Sequence, residues 1–117
     1  MKSDLHKSVY SIVKELYPND VVLEEEVIKL EKQGVLYVDI YMPKLKIAIE
    51  CDGIQHKKFN RFYHGDIFQF KRQQKNDALK DQYCQDNGIT LVRVAYDEKI
   101  DAEKLSVKII DALKQGT

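Results

Sequence analysis

Two short apolar runs, Val35 to Met42 and Leu45 to Cys51, constrain the fold of this chain more than any other feature. Each is strand-length and too short for a helix, apolar residues fall at every second place, and Pro43-Lys44 parts them. The pair is predicted to be a β-hairpin whose side chains alternate between two faces. With Met42 set opposite Leu45, Asp39 falls opposite Ala48 and Glu50 lies one diagonal step away. One face then carries Leu36, Val38, Ile40, Met42, Leu45, Ile47, Ile49 and Cys51 and is core, while the other collects Asp39, Glu50 and Asp52. Diagonal β-carbons lie roughly 7–8 Å apart, close enough for two carboxylates to share one hard divalent cation. A solvated strand face also carries carboxylates, Asp52-Gly53 is a common turn pair, and Lys46 can neutralise part of the cluster. Asp39, however, is framed by Tyr37, Val38, Ile40 and Tyr41, a half-buried setting in which an unpaired carboxylate is costly. It needs a cation or a donor.

The rest of the chain supplies elements to cover such a hairpin. Leu5, Val9, Ile12, Val13 and Leu16 recur at helical spacing, with Ser3 placed to cap the start and Pro18 to stop the end. Val21 to Leu30 is rich in β-branched residues, and Lys32-Gln33-Gly34 supplies a turn before the hairpin, which suggests a three-strand meander. From Ile67 to Gln85 the pattern is helical, with Phe70, Ala78, Leu79 and Tyr83 apolar and Asn87-Gly88 as a left-handed stop. Ile89 to Ala95 reads as a buried strand. Asp101 caps a last helix whose Leu105, Ile109, Ile110 and Leu113 form one stripe, ending near Gly116. The order is αβββαβα. A strand reached through a helix is not a hairpin partner, so the last strand is expected parallel to a central one, in a mixed sheet flanked by helices.

At 117 residues and 44% hydrophobic content, the chain has the size of one compact domain, residues 1–117. Its 19 basic and 19 acidic residues leave no global field to draw it onto nucleic acid or membrane, so such binding must be local. The two cysteines, Cys51 and Cys84, fall on a strand and a helix as apolar groups, which fits a reducing compartment. No apolar stretch approaches the ~20 residues of a membrane span, and a soluble protein is expected. Local charge is not balanced. Lys57, Lys58, Arg61, Lys71, Arg72, Lys75 and Lys80 face only Asp66 and Asp77, and interleave with Phe59, Phe62, Tyr63, Phe68 and Phe70, a composition suited to phosphate backbones and to stacking on bases. Carboxylates that hold a cation beside a positive surface are what phosphodiester hydrolysis requires. His56, shortly after Asp52, is the best candidate proton carrier. His64 and, more firmly, His6 read as surface or packing residues.

The run Tyr37-Val38-Asp39-Ile40-Tyr41-Met42-Pro43, followed by Ile47-Ala48-Ile49-Glu50-Cys51-Asp52-Gly53-Ile54-Gln55-His56, resembles the PD-(D/E)XK nuclease superfamily. It is most similar to the branch related to very-short-patch-repair (Vsr) and phage homing endonucleases. Lys75-Asn76-Asp77-Ala78-Leu79-Lys80, Tyr83-Cys84 and Asn87-Gly88-Ile89-Thr90-Leu91-Val92-Arg93-Val94 resemble the same branch, so the likeness spans roughly Leu5 to Tyr96. The resemblance implies a restriction-endonuclease-like fold and a magnesium- or manganese-dependent endodeoxyribonuclease. Asp39 and Glu50 match the metal-binding acids, with the Cys51 backbone carbonyl as third ligand. Asp52 stands where a lysine is usual, so charge stabilisation must come from elsewhere. His56, helped by Gln55, matches the histidine of the branch, and Glu15 and Asp77 match its further acids from the first helix and the helix after the histidine. The resemblance also implies DNA as partner, held by Lys57, Lys58, Arg61, Lys71, Arg72 and Lys75, and a bacterial cytoplasmic setting under phage control. A nuclease this small is expected to need a homodimer, a further partner or loop insertions for specificity. Two other readings stay open: a non-catalytic module binding DNA or protein, and a dimeric resolvase of branched DNA.

Overall fold

The structure is a computed structural model, and it describes residues 2–32, 34–53 and 67–115. Gln55, His56, Lys57, Lys58, Arg61 and His64 lie outside the described residues. The described elements follow the expected order: α1 (Asp4–Leu16), β1 (Leu23–Leu30), β2 (Gly34–Met42), β3 (Ile47–Asp52), α2 (Ile67–Asp86), β4 (Thr90–Ala95) and α3 (Ala102–Gln115). The protein is a mixed α/β structure. Its sheet runs β1-β2-β3-β4, antiparallel except that β4 joins β3 in parallel. No helix among the described residues is long and apolar enough to cross a membrane.

Local chemistry sets the element ends. The Ser3 side chain accepts a hydrogen bond from the His6 backbone N–H at 3.1 Å and starts α1. At the end of α2, Gly88 takes φ +67°, the Ile89 N–H donates to the Cys84 carbonyl at 2.8 Å, and the Gly88 N–H donates to Gln85. These two bonds close the helix in the manner of a Schellman motif, which needs a residue free to adopt a left-handed backbone.

The hairpin register departs from the expected one. Met42 pairs with Ile47, Tyr41 with Ala48 and Ile40 with Ile49, because the turn takes four residues, Pro43 to Lys46, with Lys46 at φ +54°. A tight two-residue hairpin turn needs a positive φ at its first central residue, which the ring of Pro43 forbids, and the left-handed Lys46 closes the longer loop. Leu45 therefore sits exposed in the turn and not in the core. The slip is by two positions, so the paired residues Ile40 to Met42 and Ile47 to Ile49 keep their faces.

The core is also not one face. Val9, Val13, Leu105 and Ile109 of α1 and α3 pack on Ile40, Met42, Ile47, Ile49, Val92 and Val94, whereas Val38 joins Ile28, Ala48 and Cys84 beneath α2. Val38 and Ile40 should share a face under strict alternation. They are separated because both strands turn over at the level of Asp39 and Glu25. Glu25 has φ +53°, and between Glu24 and Glu26 the side chains of β1 pass from the α1 side, where Glu24 meets His6, to the α2 side. On α3 the expected stripe is wider than the core uses, and Ile110 and Leu113 remain exposed. Helix α2 buries fully only Cys84, so its seat on the sheet depends on polar ties.

Candidate active site

Asp39 and Glu50 stand at the level where the β2–β3 ladder ends, one step beyond the Ile40 and Ile49 pair. Their side chains replace the missing backbone bonds. The Asp39 N–H donates to Glu50 Oε1 at 3.2 Å, and the Cys51 N–H donates to Asp39 Oδ2 at 2.7 Å. Each carboxylate is thus fixed by the other strand's backbone. Asp39 keeps about a third of its side chain exposed, while Glu50 is 2% exposed.

The third member comes from α2. Lys80 Nζ donates to Glu50 Oε2 at 3.1 Å. Burial foremost, and then the Asp39 charge, raises the Glu50 carboxyl to about 7, with Lys80 pulling the other way. A group titrating there is poised between charged and neutral forms at physiological pH. The Cys51 thiol is pushed far up by burial and by Asp39, Glu50 and Asp52, so it offers no thiolate and can contribute only its backbone carbonyl.

Asp39 and Lys80 open into a cleft of about 360 Å³ between β2 and α2, lined by Val35, Leu36, Tyr37, Gln73, Asn76 and Asp77. A larger cleft, about 480 Å³, lies between the C-terminal ends of α2 and α3 and contains neither Asp39 nor Glu50. On the α1 side of Asp39 lies His6, almost fully buried, with Nε2 3.0 Å from Glu24 Oε1 and Nδ1 3.9 Å from Asp39 Oδ1. Glu24 is also 3.7 Å from Lys2 Nζ.

The other residues singled out from sequence are placed differently. Asp52 shares the α2 side with Glu50, as strand alternation demands, but its carboxylate meets Arg93 at 3.3 Å. Asp77 joins the same guanidinium, through its carboxylate at 3.8 Å and its backbone carbonyl at 3.1 Å, and Asp81 adds a bond of 2.9 Å. Burial would lower Arg93, but the Asp81 hydrogen bond and the charges of Asp52, Asp81 and Asp77 outweigh it and raise the guanidinium. These acids form a clasp between the sheet and α2. Glu15 is exposed, nine positions beyond His6, which puts it about 13 Å along α1 and on the opposite side of the helix. On α2, at about 100° per residue, Lys71 and Lys75 project away from the face of Gln73, Asn76, Asp77 and Lys80, while Arg72 flanks that face. All three are exposed.

Two site residues escaped the reading of sequence. Lys80 carried no signal beyond its place in a positive stretch. His6 had one, because it falls three and seven places before Val9 and Val13, on the stripe that α1 buries.

Among the described residues no group of three or more His, Cys, Asp or Glu side chains converges on a common metal position. The oxygen donors of Asp39 and Glu50 nevertheless suit a hard cation. Two carboxylates repel one another here strongly enough to contribute to the rise of Glu50. Magnesium binds well with one or two protein carboxylates, a carbonyl and several waters.

The chain is 44% identical over 64 residues to the uncharacterized protein 307L of Invertebrate iridescent virus 6, a match covering 55% of this chain and 32% of that protein. It is 35% identical over 65 residues to the uncharacterized protein 033L of Invertebrate iridescent virus 3, covering 56% and 34% of the two. It is 37% identical over 65 residues to the uncharacterized protein 094L of Frog virus 3, covering 55% and 42%. The chain thus spans about a third to two fifths of the length of the curated relatives it matches. No protein-family model and no solved structure matches it.

Proposed function

We propose that the chain is a magnesium- or manganese-dependent endodeoxyribonuclease of the PD-(D/E)XK kind, with a restriction-endonuclease-like fold. The observation that carries this reading is the buried Glu50 carboxyl, bonded on one oxygen to the Asp39 N–H and on the other to Lys80. The superfamily resemblance leaves a gap where Asp52 replaces a lysine, and Lys80 brings an ammonium to the same carboxylate from α2.

Asp39, Glu50 and the Cys51 carbonyl would hold the cation. When bound, it supplies Lewis-acid stabilisation of the scissile phosphate and a more acidic water. Lys80 keeps one Glu50 oxygen oriented and places positive charge where the phosphate would sit. Arg72 stands to meet the backbone beside the cleft. His56 and Gln55, by the resemblance, are the residues to move the proton of the attacking water, and Lys57, Lys58 and Arg61 to grip DNA. The named relatives point to viruses of invertebrate and frog hosts, so a bacterial setting rests on the resemblance alone.

The test is conversion of supercoiled plasmid to nicked or linear forms, with magnesium and with chelator. Cutting that needs the cation and disappears in Asp39→Ala is expected. Binding without cutting would leave the non-catalytic module, and a dimer cutting only junctions would favour the resolvase.

A further inference from the structure

We propose that His6 supplies a nitrogen ligand beside Asp39, so that the site takes a first-row transition ion, manganese foremost, in preference to magnesium; this deepens the nuclease reading and rests on its assignment of Asp39 as a metal ligand.

Local structure brings the imidazole there. The Ser3 cap and the stripe of Val9 and Val13 set His6 on the face of α1 that packs on the sheet, where it is 3% exposed. Glu24 reaches the ring from β1 on the same side, because Glu25, at φ +53°, turns that strand over immediately afterwards. An ionised carboxylate only accepts, so the 3.0 Å contact between His6 Nε2 and Glu24 Oε1 places a hydrogen on Nε2. The other Glu24 oxygen lies 3.7 Å from Lys2 Nζ. Glu24 is therefore engaged on both oxygens, and its part is to orient the ring.

That leaves Nδ1 facing Asp39. It stands 3.9 Å from Oδ1, while Asp39 Oδ2 accepts from the Cys51 N–H at 2.7 Å. A charged N–H that closes directly on a carboxylate draws in to about 2.7–2.9 Å, which this pair does not. Two donors on one divalent ion, each with a bond of about 2.0–2.2 Å, stand at most about 4.4 Å apart, and the observed 3.9 Å lies within that span. A carboxylate on the far nitrogen is also the usual support of a ligating imidazole, since it fixes the tautomer and the direction of the ring. Oxygen donors alone suit magnesium, whereas an imidazole beside them shifts preference toward the first-row transition ions.

The experiment measures manganese binding by electron paramagnetic resonance, on the full chain without DNA or a histidine tag, and detects imidazole nitrogen on the bound ion by spin-echo modulation. The unsubstituted protein is expected to show that modulation and to bind manganese about tenfold or more tightly than magnesium, read by competition. The chain has three histidines, so a His56→Ala, His64→Ala double variant keeps His6 alone and should retain the modulation. His6→Ala should lose it, with manganese affinity down about tenfold and magnesium affinity within about twofold. Glu24→Ala should weaken manganese by about tenfold through the freed ring. No manganese binding, equal affinity for the two ions, or loss of the modulation in the double variant overturns the proposal, and the double variant does so without disturbing the buried His6. Plasmid cutting is scored separately. Metal-dependent cutting with no imidazole on manganese removes the His6 ligand alone. Manganese bound through His6 without any cutting removes the nuclease reading and leaves the metal site standing.

Discussion

Replacing Glu50 by glutamine should make the protein more stable at alkaline pH while destroying its activity. The Glu50 carboxyl titrates near 4.5 in an open chain and is raised to about 7 in the fold, by burial and by Asp39. Between those values only the folded state holds the proton, so unfolding releases it and stability falls as pH rises through the window. At ~1.36 kcal/mol per pH unit the full difference is about 3 kcal/mol, reached above pH 7 and absent below 4.5. Glutamine has no charge to desolvate and cannot repel Asp39, although its single amide oxygen accepts from Lys80 or from the Asp39 N–H and not from both, a cost that does not vary with pH. Urea unfolding in chelator at pH 5 and pH 8 should therefore show wild type losing about 2.5 kcal/mol more than Glu50→Gln, the remainder of the difference having been lost below pH 5. Adding magnesium at pH 8 should restore wild type and leave the variant unchanged, since a cation held by two carboxylates stabilises only the state that holds it. Parallel pH profiles for the two proteins would refute the burial and repulsion assigned to Glu50.

Lys80→Met removes the group that opposes the rise of Glu50, so plasmid cutting should vanish and the Glu50 titration, followed by NMR, should move further up; unchanged cutting would return the charge role to residues outside α2. Glu15→Gln should cut at the wild-type rate, because Glu15 lies on the far side of α1 from the site; a loss beyond about tenfold would place it in the machinery. Gly88→Ala forces a side chain onto φ +67° and should cost about 1 kcal/mol in urea unfolding, with cutting intact. Arg93→Met leaves Asp52 buried without its guanidinium and should cost about 2–3 kcal/mol, with hydrogen exchange rising first in α2.

How much of this was legible in sequence depended on which interactions were local. Strand parity was legible on β3, where Glu50 and Asp52 share one side, but not along β2, where Leu36 and Val38 part from Ile40 and Met42. Register was not, because the left-handed Lys46 lengthens a turn that Pro43-Lys44 alone would shorten. The pairing of Asp39 with Glu50 survived that error, since a slip of two brings them closer still. The partners of the acids were out of reach. Asp52 and Arg93 are 41 positions apart, and Glu50 and Lys80 are 30, so only the way α2 lies on the sheet decides which carboxylate meets which cation. The turnover at Asp39 was equally hidden, because Glu25 is an ordinary strand residue by type and its positive φ is a property of the folded pair.

The polar ties of α2 explain why two acids of similar burial have different fates. A helix that buries only Cys84 fully has little apolar surface to fix its position, and Arg93 holding Asp52, Asp77 and Asp81 sets its depth and rotation instead. Asp77 and Asp81 lie one turn apart on α2 and Lys80 falls between them, so the clasp that holds those two acids aims Lys80 at Glu50. Asp52 therefore acts on the site through geometry, with its charge already matched, whereas Glu50 faces both Asp39 and Lys80 and keeps a carboxyl raised to about 7. A carboxyl left in that state costs stability in the metal-free protein. On the proposed nuclease reading, a cation held by Asp39 and Glu50 would offset that cost, and the lysine that the charged clasp brings against Glu50 would meet a phosphate.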